Sequence, residues 1–595
     1  MAVLPNKTKK KKEVRMQDSE KFLEARDILL NAKSYNEAVE KFKWPTISKF
    51  NWALDYFDKI AEGNENLALI FESETGEERK ITFQQMKERS NQVANFLRDL
   101  GLQKGDRVFM IMDASVEIYE VILGIMKAGG AIIPGAALLS PNDIADRIER
   151  GNVKFFIAHS KYAEKALKNV GDSLKKLKAI ITVGELKEDF LIDNVYNYSE
   201  VDKYNKEYKA PFITYSNDEL FLFFTSGTTS KPKLVIHNHI YPVRHLTTMY
   251  WINLQKGDIH LNISAPGWAK YAWSSFFAPW NAEATILCLY YSQFDAKFVL
   301  KMIEKHKVTT LCAPFSVLKL FTLENLTEYK FNLREIVSAG EPLAPAVVKK
   351  IEDAVNVEIR EGYGQTETTL LIANFKGEKR VLGSLGKPAP GYTVKLLNDT
   401  LDEVKQGEDG EICVQTYPYR PLGLLSKYDD EEKNREVFKG CWYKTSDSAY
   451  MDKEGYFYFV GRTDDVFKSL DYRISPFEVE SEIAVHPSVL EVAVTPTVDD
   501  RDRIVPKAFI VLKPEYQPTR EMALDLFRFI RNNMAPYKRP RVIEFMREFP
   551  KTVSAKVKRK DLRAYDKGLK ERKKRGEFEF FEKDFKDELQ LGKRQ

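Results

Sequence analysis

Apolar and polar positions fall into recognisable blocks along the first part of the chain. Thr82, with Gln85 three residues on, forms a capping box that opens a helix running to Leu100 and stopping at Gly101. Val108 to Met112 is a short apolar run that predicts a strand. After it Ile118, Val121, Ile122 and Ile125 recur at i, i+3, i+4 and i+7, the stripe of a helix ending near Gly129, and Ala131 to Ile133 begins another strand. Strand, helix, strand in this order is a parallel crossover unit, and the alternation continues through Phe155 to Ala158 and Ala179 to Val183. Leu220 to Phe224 is fully apolar and too short for a helix, so it predicts a buried strand. The bulk of the chain reads as α/β.

From about Val466 the texture changes. Val492 to Val494 and Ala508 to Leu512 predict strands of a smaller α+β unit, with a helix from Arg520 to Asn533 stopped before Pro536. The pattern divides the chain into a basic arm (1–20), a large domain (21–463), a small domain (464–565) and a charged, amphipathic extension (566–595) expected to lie outside the core.

Composition narrows the class. The 595 residues are 43% hydrophobic and 30% charged, which excludes both a disordered polyelectrolyte and a bundle of membrane helices. A formal charge of +5 over that length is too weak and too mixed to imply a nucleic-acid partner. The apolar stretch from Val108 to Leu139 is interrupted by Asp113, Glu117, Glu120 and Lys127, so no integral membrane segment is expected. Cys288, Cys312, Cys413 and Cys441 are far apart, which argues against a disulfide framework or a zinc site and fits a reducing, cytoplasmic setting. The lysines near the N-terminus precede no apolar h-region, so they read as a solvated arm rather than a secretory signal.

Chemistry concentrates in a few short motifs. Thr225-Ser226-Gly227-Thr228-Thr229-Ser230-Lys231-Pro232-Lys233 follows the buried strand, and small hydroxyl residues around a glycine can aim several N–H and O–H donors at a phosphate chain, with Lys233 as the fixed cation. GxxxxGK[ST] is absent, which disfavours a P-loop mechanism; a surface Ser/Thr turn is the plain alternative. The run resembles the phosphate loop of the adenylate-forming superfamily, and the other motifs occur in that family's order. Glu361-Gly362-Tyr363-Gly364-Gln365-Thr366-Glu367 resembles its second core motif; the resemblance implies that Tyr363 packs on adenine, Thr366 meets the α-phosphate and Glu367 holds Mg²⁺. Gly340-Glu341-Pro342 resembles the adenine-side loop. Asp447 corresponds to the ribose-binding aspartate, Arg462 to the arginine preceding the hinge at Asp464, and Lys556 to the lysine that reaches the adenylation site.

Within the superfamily the chain most resembles medium-chain acyl-CoA synthetases, through Arg473 to Glu480, Ala265 to Trp268 and Ala535 to Arg541. Acetate-specific relatives carry a tryptophan where this chain has Gly364, so Gly364 is expected to floor a roomier acyl pocket, with Trp268 at its mouth; each extra buried methylene is worth ~0.8 kcal/mol. Family glycines are replaced by Ser230, Ser446, Asp471, Ser475 and Ala555. Asp471 stands where pantetheine should pass, and a relative's CoA-phosphate arginine falls on Asp502, flanked by Arg501 and Arg503. The CoA-facing set implied by the resemblance is Leu470, Asp471, Tyr472, Arg473, Arg501, Arg503, Arg539 and Arg541.

The resemblance implies a large adenylate-forming domain, a small mobile C-terminal domain, and a ligase that joins a small carboxylic acid to CoA through an acyl-adenylate, using ATP and Mg²⁺. Lys556, Glu367, Thr366 and Lys233 are its expected catalytic residues, and a medium-chain, branched or aromatic acid its expected substrate. Two alternatives stay open: an adenylating ligase with a non-CoA acceptor, and a binding protein without turnover. A homodimer is neither required nor excluded.

Overall fold

In the computed structural model the chain forms two compact units, one comprising residues up to Thr393 with Gln415–Trp442, the other Val394–Val414 with everything from Tyr443. The structure describes residues 7–188, 190, 193–225, 232–340, 343, 345–463, 465–469, 472–499, 503–551, 557–572 and 574–589, without the side chains of 7–17, 346, 472 and 473. Among the described residues no helix is long and apolar enough to cross a membrane, and the four cysteines are free thiols.

The larger unit holds two sheets. In the first, Ala131–Pro134, Arg107–Ile111, Val153–His159 and Ala179–Val183 lie side by side in parallel, and Glu219–Thr225 joins next to Ala131–Pro134. Helices cover such sheets on both faces, which is why these strands read as unbroken apolar runs. Thr82 and Gln85 close both halves of the expected capping box on the helix Phe83–Asp99. That helix packs on Val116–Ala128, where a Cβ at Gly124 would stand 2.4 Å from Val93 Cγ1; the bare position lets the two helices close up. At the sheet's other end Lys233–Asn238 turns back antiparallel on Glu219–Thr225, and Lys427–Tyr428 pairs beyond it. The second sheet carries Thr285–Tyr290, Ile259–Asn262, Thr310–Cys312, Glu335–Ala339 and Ile359–Gln365 in parallel, with Thr369–Ala373 returning antiparallel. Leu261, Leu287, Leu311, Ile336 and Ile359 form its core.

In the smaller unit Val489–Val498, Ile504–Leu512, Val542–Phe545 and Glu579–Phe581 form one sheet. The predicted helix Arg520–Asn533 is present and buries Ala523, Leu526, Phe527 and Ile530. Two further antiparallel pairs precede it, Val394–Leu397 with Gly410–Gln415 and Trp442–Met451 with Phe457–Arg462.

Three limits drawn from the sequence shift. The basic arm is not separate, because one helix runs from Lys7 to Asn31. Within it Asp18 is buried, accepting from the amides of Lys49 at 2.8 Å and Ser48 at 3.1 Å, and Phe22 and Leu29 are core residues. The C-terminal extension is not peripheral: it supplies a strand and buries Phe581, Phe585 and Leu589. The single cut at 463/464 gives way to a boundary crossed three times, since 394–414 and 443–463 cluster with the smaller unit. The hinge residue Asp464 itself lies outside the described residues.

Candidate active site

The phosphate loop spans a hairpin rather than a strand-to-helix turn. Thr225 and Lys233 face each other in the antiparallel pairing, and residues 226–231 (Ser226, Gly227, Thr228, Thr229, Ser230, Lys231) lie outside the described residues. Register therefore sets the ends of the loop: Thr225 Oγ1 reaches the Lys233 carbonyl at 3.4 Å, and Arg150 donates to the Pro232 carbonyl at 2.7 Å. The Lys233 ammonium stands 3.9 Å from the Asp430 carboxylate, a loose pair that leaves it available to an anion.

The second motif begins as the strand Ile359–Gln365 and ends in a tight turn through Thr368. Burial alone pushes the Glu361 carboxyl up to about 8, so it is neutral at pH 7. Tyr363 and Gly364 bracket a bulge opposite Thr369–Ala373. Each carbonyl of the turn has a donor from a different element. His237 Nε2 bonds the Thr366 oxygen at 2.8 Å, the Leu425 amide the Glu367 oxygen at 2.6 Å, and the Tyr392 hydroxyl the Thr368 oxygen at 2.9 Å. Tyr428 donates to Glu367 Oε1 at 2.8 Å, which turns that carboxylate to a fixed direction. Glu367 offers a hard oxygen donor of the kind Mg²⁺ takes. Gly340 has φ +97° with open space on its Cβ side, and Glu341 and Pro342 lie outside the described residues.

Trp268 lines a narrow apolar pocket of about 360 Å³, counting space open to solvent, with Ile118, Ile122, Phe221, Phe223 and Tyr271 among its walls. Gly364 does not line it. A Cβ there would stand 1.8 Å from the Thr369 carbonyl oxygen, so the position is bare because the neighbouring strand crosses it. Lys270, in the short helix after Trp268, donates to the Ala339 carbonyl at 3.0 Å and ties the pocket wall to the strand end before Gly340.

In the smaller unit Asp447 is buried opposite Arg462, whose guanidinium lies 3.5 Å from its carboxylate. Ser446, a family glycine by resemblance, adopts φ +60°. Lys556 is outside the described residues; on either side of it Lys551 and Val557 pair in an antiparallel bridge. Of the CoA-facing set, Leu470, Asp471 and Arg501 fall outside the described residues, as do the side chains of Tyr472 and Arg473. The three remaining arginines make contacts within their own unit. Arg503 is held by Asp499 at 2.7 Å, Arg539 caps the carbonyls of Met534 and Arg531 at 2.8 Å, and Arg541 pairs with Glu582 at 2.5 Å. Sequence reasoning missed His237, Tyr392, Leu425 and Tyr428, because they act through tertiary contacts that no local spacing announces.

The model of the AMP-binding enzyme family matches residues 57–419, and that of the AMP-binding enzyme C-terminal domain residues 478–556. The chain is 41% identical to 4-hydroxybutyrate–CoA ligase 1 of Metallosphaera sedula, over 92% of this chain and 95% of that one. It is 36% identical to the mitochondrial acyl-coenzyme A synthetase ACSM3 of Rattus norvegicus, over 90% and 93%. Among solved structures, the anthranilate CoA ligase AuaEII in complex with anthranoyl-AMP superposes with a TM-score of 0.78 at 29% identity, covering 88% of this chain and 98% of that one.

Proposed function

This chain belongs to the AMP-binding enzymes, and from that premise we propose how its residues carry out the reaction of an AMP-forming acyl-CoA synthetase. The substrates are a carboxylic acid, ATP and CoA. An acid oxygen attacks the α-phosphorus of ATP to give acyl-AMP and pyrophosphate, and the CoA thiol then displaces AMP. Such transfer depends on positioning and on offsetting charge that develops on the phosphoryl oxygens. Lys233 and Lys556 supply cations; Thr366 meets the α-phosphate; Asp447 accepts from the ribose hydroxyls. Glu367 would hold Mg²⁺, which would offset negative charge on the phosphate groups. The acid's chain is assigned to the pocket beside Trp268, whose apolar walls suit an apolar substituent, and the family resemblance extends that to a medium-chain, branched or aromatic acid.

The observation that carries this reading is the Thr366–Thr368 turn, with three carbonyls tied from three directions and the Glu367 carboxylate aimed by Tyr428. Such redundancy fixes an oxygen ligand in advance of its cation. Carboxylate-dependent ATP–pyrophosphate exchange, run over straight-chain, hydroxy and aromatic acids, tests the first step, and CoA-dependent release of AMP tests the second. Absence of exchange with every acid would sink the reading, and exchange without thioester formation would move the acyl acceptor away from CoA.

A further inference from the structure

Four residues after Lys233, on the same strand, His237 is fully buried between the rings of Tyr241 and Phe223, at centroid distances of 4.4 and 6.0 Å. Phe223 is a wall of the acyl pocket, and the Thr366 carbonyl receives the His237 Nε2 bond, so this imidazole stands between pocket and phosphate turn. Its other nitrogen meets the NH1 group of Arg244, in the short helix Tyr241–Arg244 that follows the strand. Arg244 is itself buried, with NH2 on Asn238 at 3.0 Å, its Nε without a hydrogen-bond partner, and no carboxylate in ion-pair range among the described residues. A buried guanidinium without a counter-ion is costly, so packing and stability do not explain its presence.

Donor chemistry fixes the ring. A guanidinium has only donors, so His237 Nδ1 must accept, and the single ring proton then sits on Nε2, where the Thr366 carbonyl needs it. Both contacts select the same neutral tautomer. Burial and the neighbouring Arg244 hold the imidazole well below the usual histidine range. Arg244, pushed down by burial to about 9, stays charged at neutral pH. The guanidinium thus polarises the imidazole, and the imidazole bonds the turn more strongly than an isolated donor would.

We propose that Arg244 and His237 form a buried positioning relay that holds the Thr366 carbonyl, and through it the Thr366–Glu367 turn, in the geometry needed for adenylate formation. The relay rests on the reading of that turn as the site of the α-phosphate and Mg²⁺.

The test uses the full chain with His237→Gln, His237→Phe and Arg244→Met. Glutamine can reproduce both contacts, an N–H toward Thr366 and an oxygen toward Arg244, whereas phenylalanine keeps only the shape. Exchange kcat should fall by about tenfold or more in His237→Phe and stay within about threefold of wild type in His237→Gln, with the KM for the acid unchanged in both. Arg244→Met should fall between them. Nitrogen-15 spectra of histidine-labelled protein at pH 7, with His237 assigned by its absence in His237→Gln, should show a proton on Nε2 and a bare Nδ1. Equal exchange in wild type and His237→Phe, equal impairment in the Phe and Gln variants, or a proton on Nδ1 would each overturn the relay. Wild-type protein without exchange would instead sink the functional reading, and the relay's role in adenylation with it.

Discussion

Glu361 and Ser446 each depart from the behaviour usual for their residue type. Glu361 has its carboxyl raised by burial from 4.5 to about 8. Between those values the folded chain keeps a proton that the unfolded chain has lost, so this group makes stability fall as pH rises through that window, by about 1.4 kcal/mol per unit. Glu361→Gln, neutral at every pH, should flatten that slope in urea melts at pH 5 to 8; an unchanged slope would mean that the carboxyl is ionised when folded. Ser446 pays for φ +60° in a conformation that glycine adopts freely. Its backbone is held by Glu411, at 2.9 Å from the Ser446 amide, and by the Thr463 amide, 2.9 Å from its carbonyl, and glycine would keep both bonds. Ser446→Gly should therefore raise stability by about 0.5–1 kcal/mol, read as a higher urea midpoint with the same slope. A lower midpoint would show that the serine side chain contributes more than its strain removes.

Elements were legible in the sequence where local signals and tertiary demands agree. The Thr82 capping box, the Ile118 to Ile125 stripe and the run before Asn533 each give a helix, because the same residues that start or stop the backbone also face a core. Agreement fails at the C-terminus, where interleaved Glu, Lys and Phe read as solvated. There Glu579 pairs antiparallel next to Val542–Phe545 and its carboxylate meets Lys507 at 2.5 Å, with Asp566 and Glu544 each 2.6 Å from the same buried ammonium. Charge in this segment is interior charge, compensated by a lysine some seventy residues earlier. The sequence holds no local mark of that partnership. A chain ending at Glu571 would lose Phe581, Phe585 and Leu589 from the core, at about 2 kcal/mol each, and leave Lys507 short of one carboxylate. Hydrogen exchange in the strands 489–498, 504–512 and 542–545 should then accelerate, while strands of the larger unit keep their protection. Unchanged exchange in all of them would return the segment to the periphery that its composition suggested.

At the scale of the whole molecule, the candidate groups are divided between two compact units: the phosphate hairpin, the Thr366 turn and the Trp268 pocket in one, Asp447, Arg462 and Lys556 in the other. Most of the candidate site was named from the sequence through the resemblance of its short motifs to those of the adenylate-forming family, because such motifs keep their residues adjacent in sequence. What holds those motifs in place was not, since His237, Tyr392, Leu425 and Tyr428 come from scattered positions. The division between units bears on the chemistry of the two half-reactions. Charge builds on the α-phosphoryl oxygens and on departing pyrophosphate only while the acyl-adenylate forms, so a cation dedicated to that step should matter little when a thiol later attacks the acyl carbon. Lys556, between the paired residues Lys551 and Val557 in the sequence of the smaller unit, is the candidate for that cation. Lys556→Ala should slow carboxylate-dependent pyrophosphate exchange by the ~3 to 4 kcal/mol typical of one lost charge-stabilising donor, a factor of a hundred or more. Thioester formation from supplied acyl-AMP and CoA should stay within about threefold of wild type. Lys233→Ala, in the larger unit at the base of the phosphate hairpin, serves as the contrast and should impair ATP binding as well as exchange. Equal losses in both half-reactions of Lys556→Ala would show that the lysine supports the bound nucleotide throughout the cycle rather than the adenylation step alone.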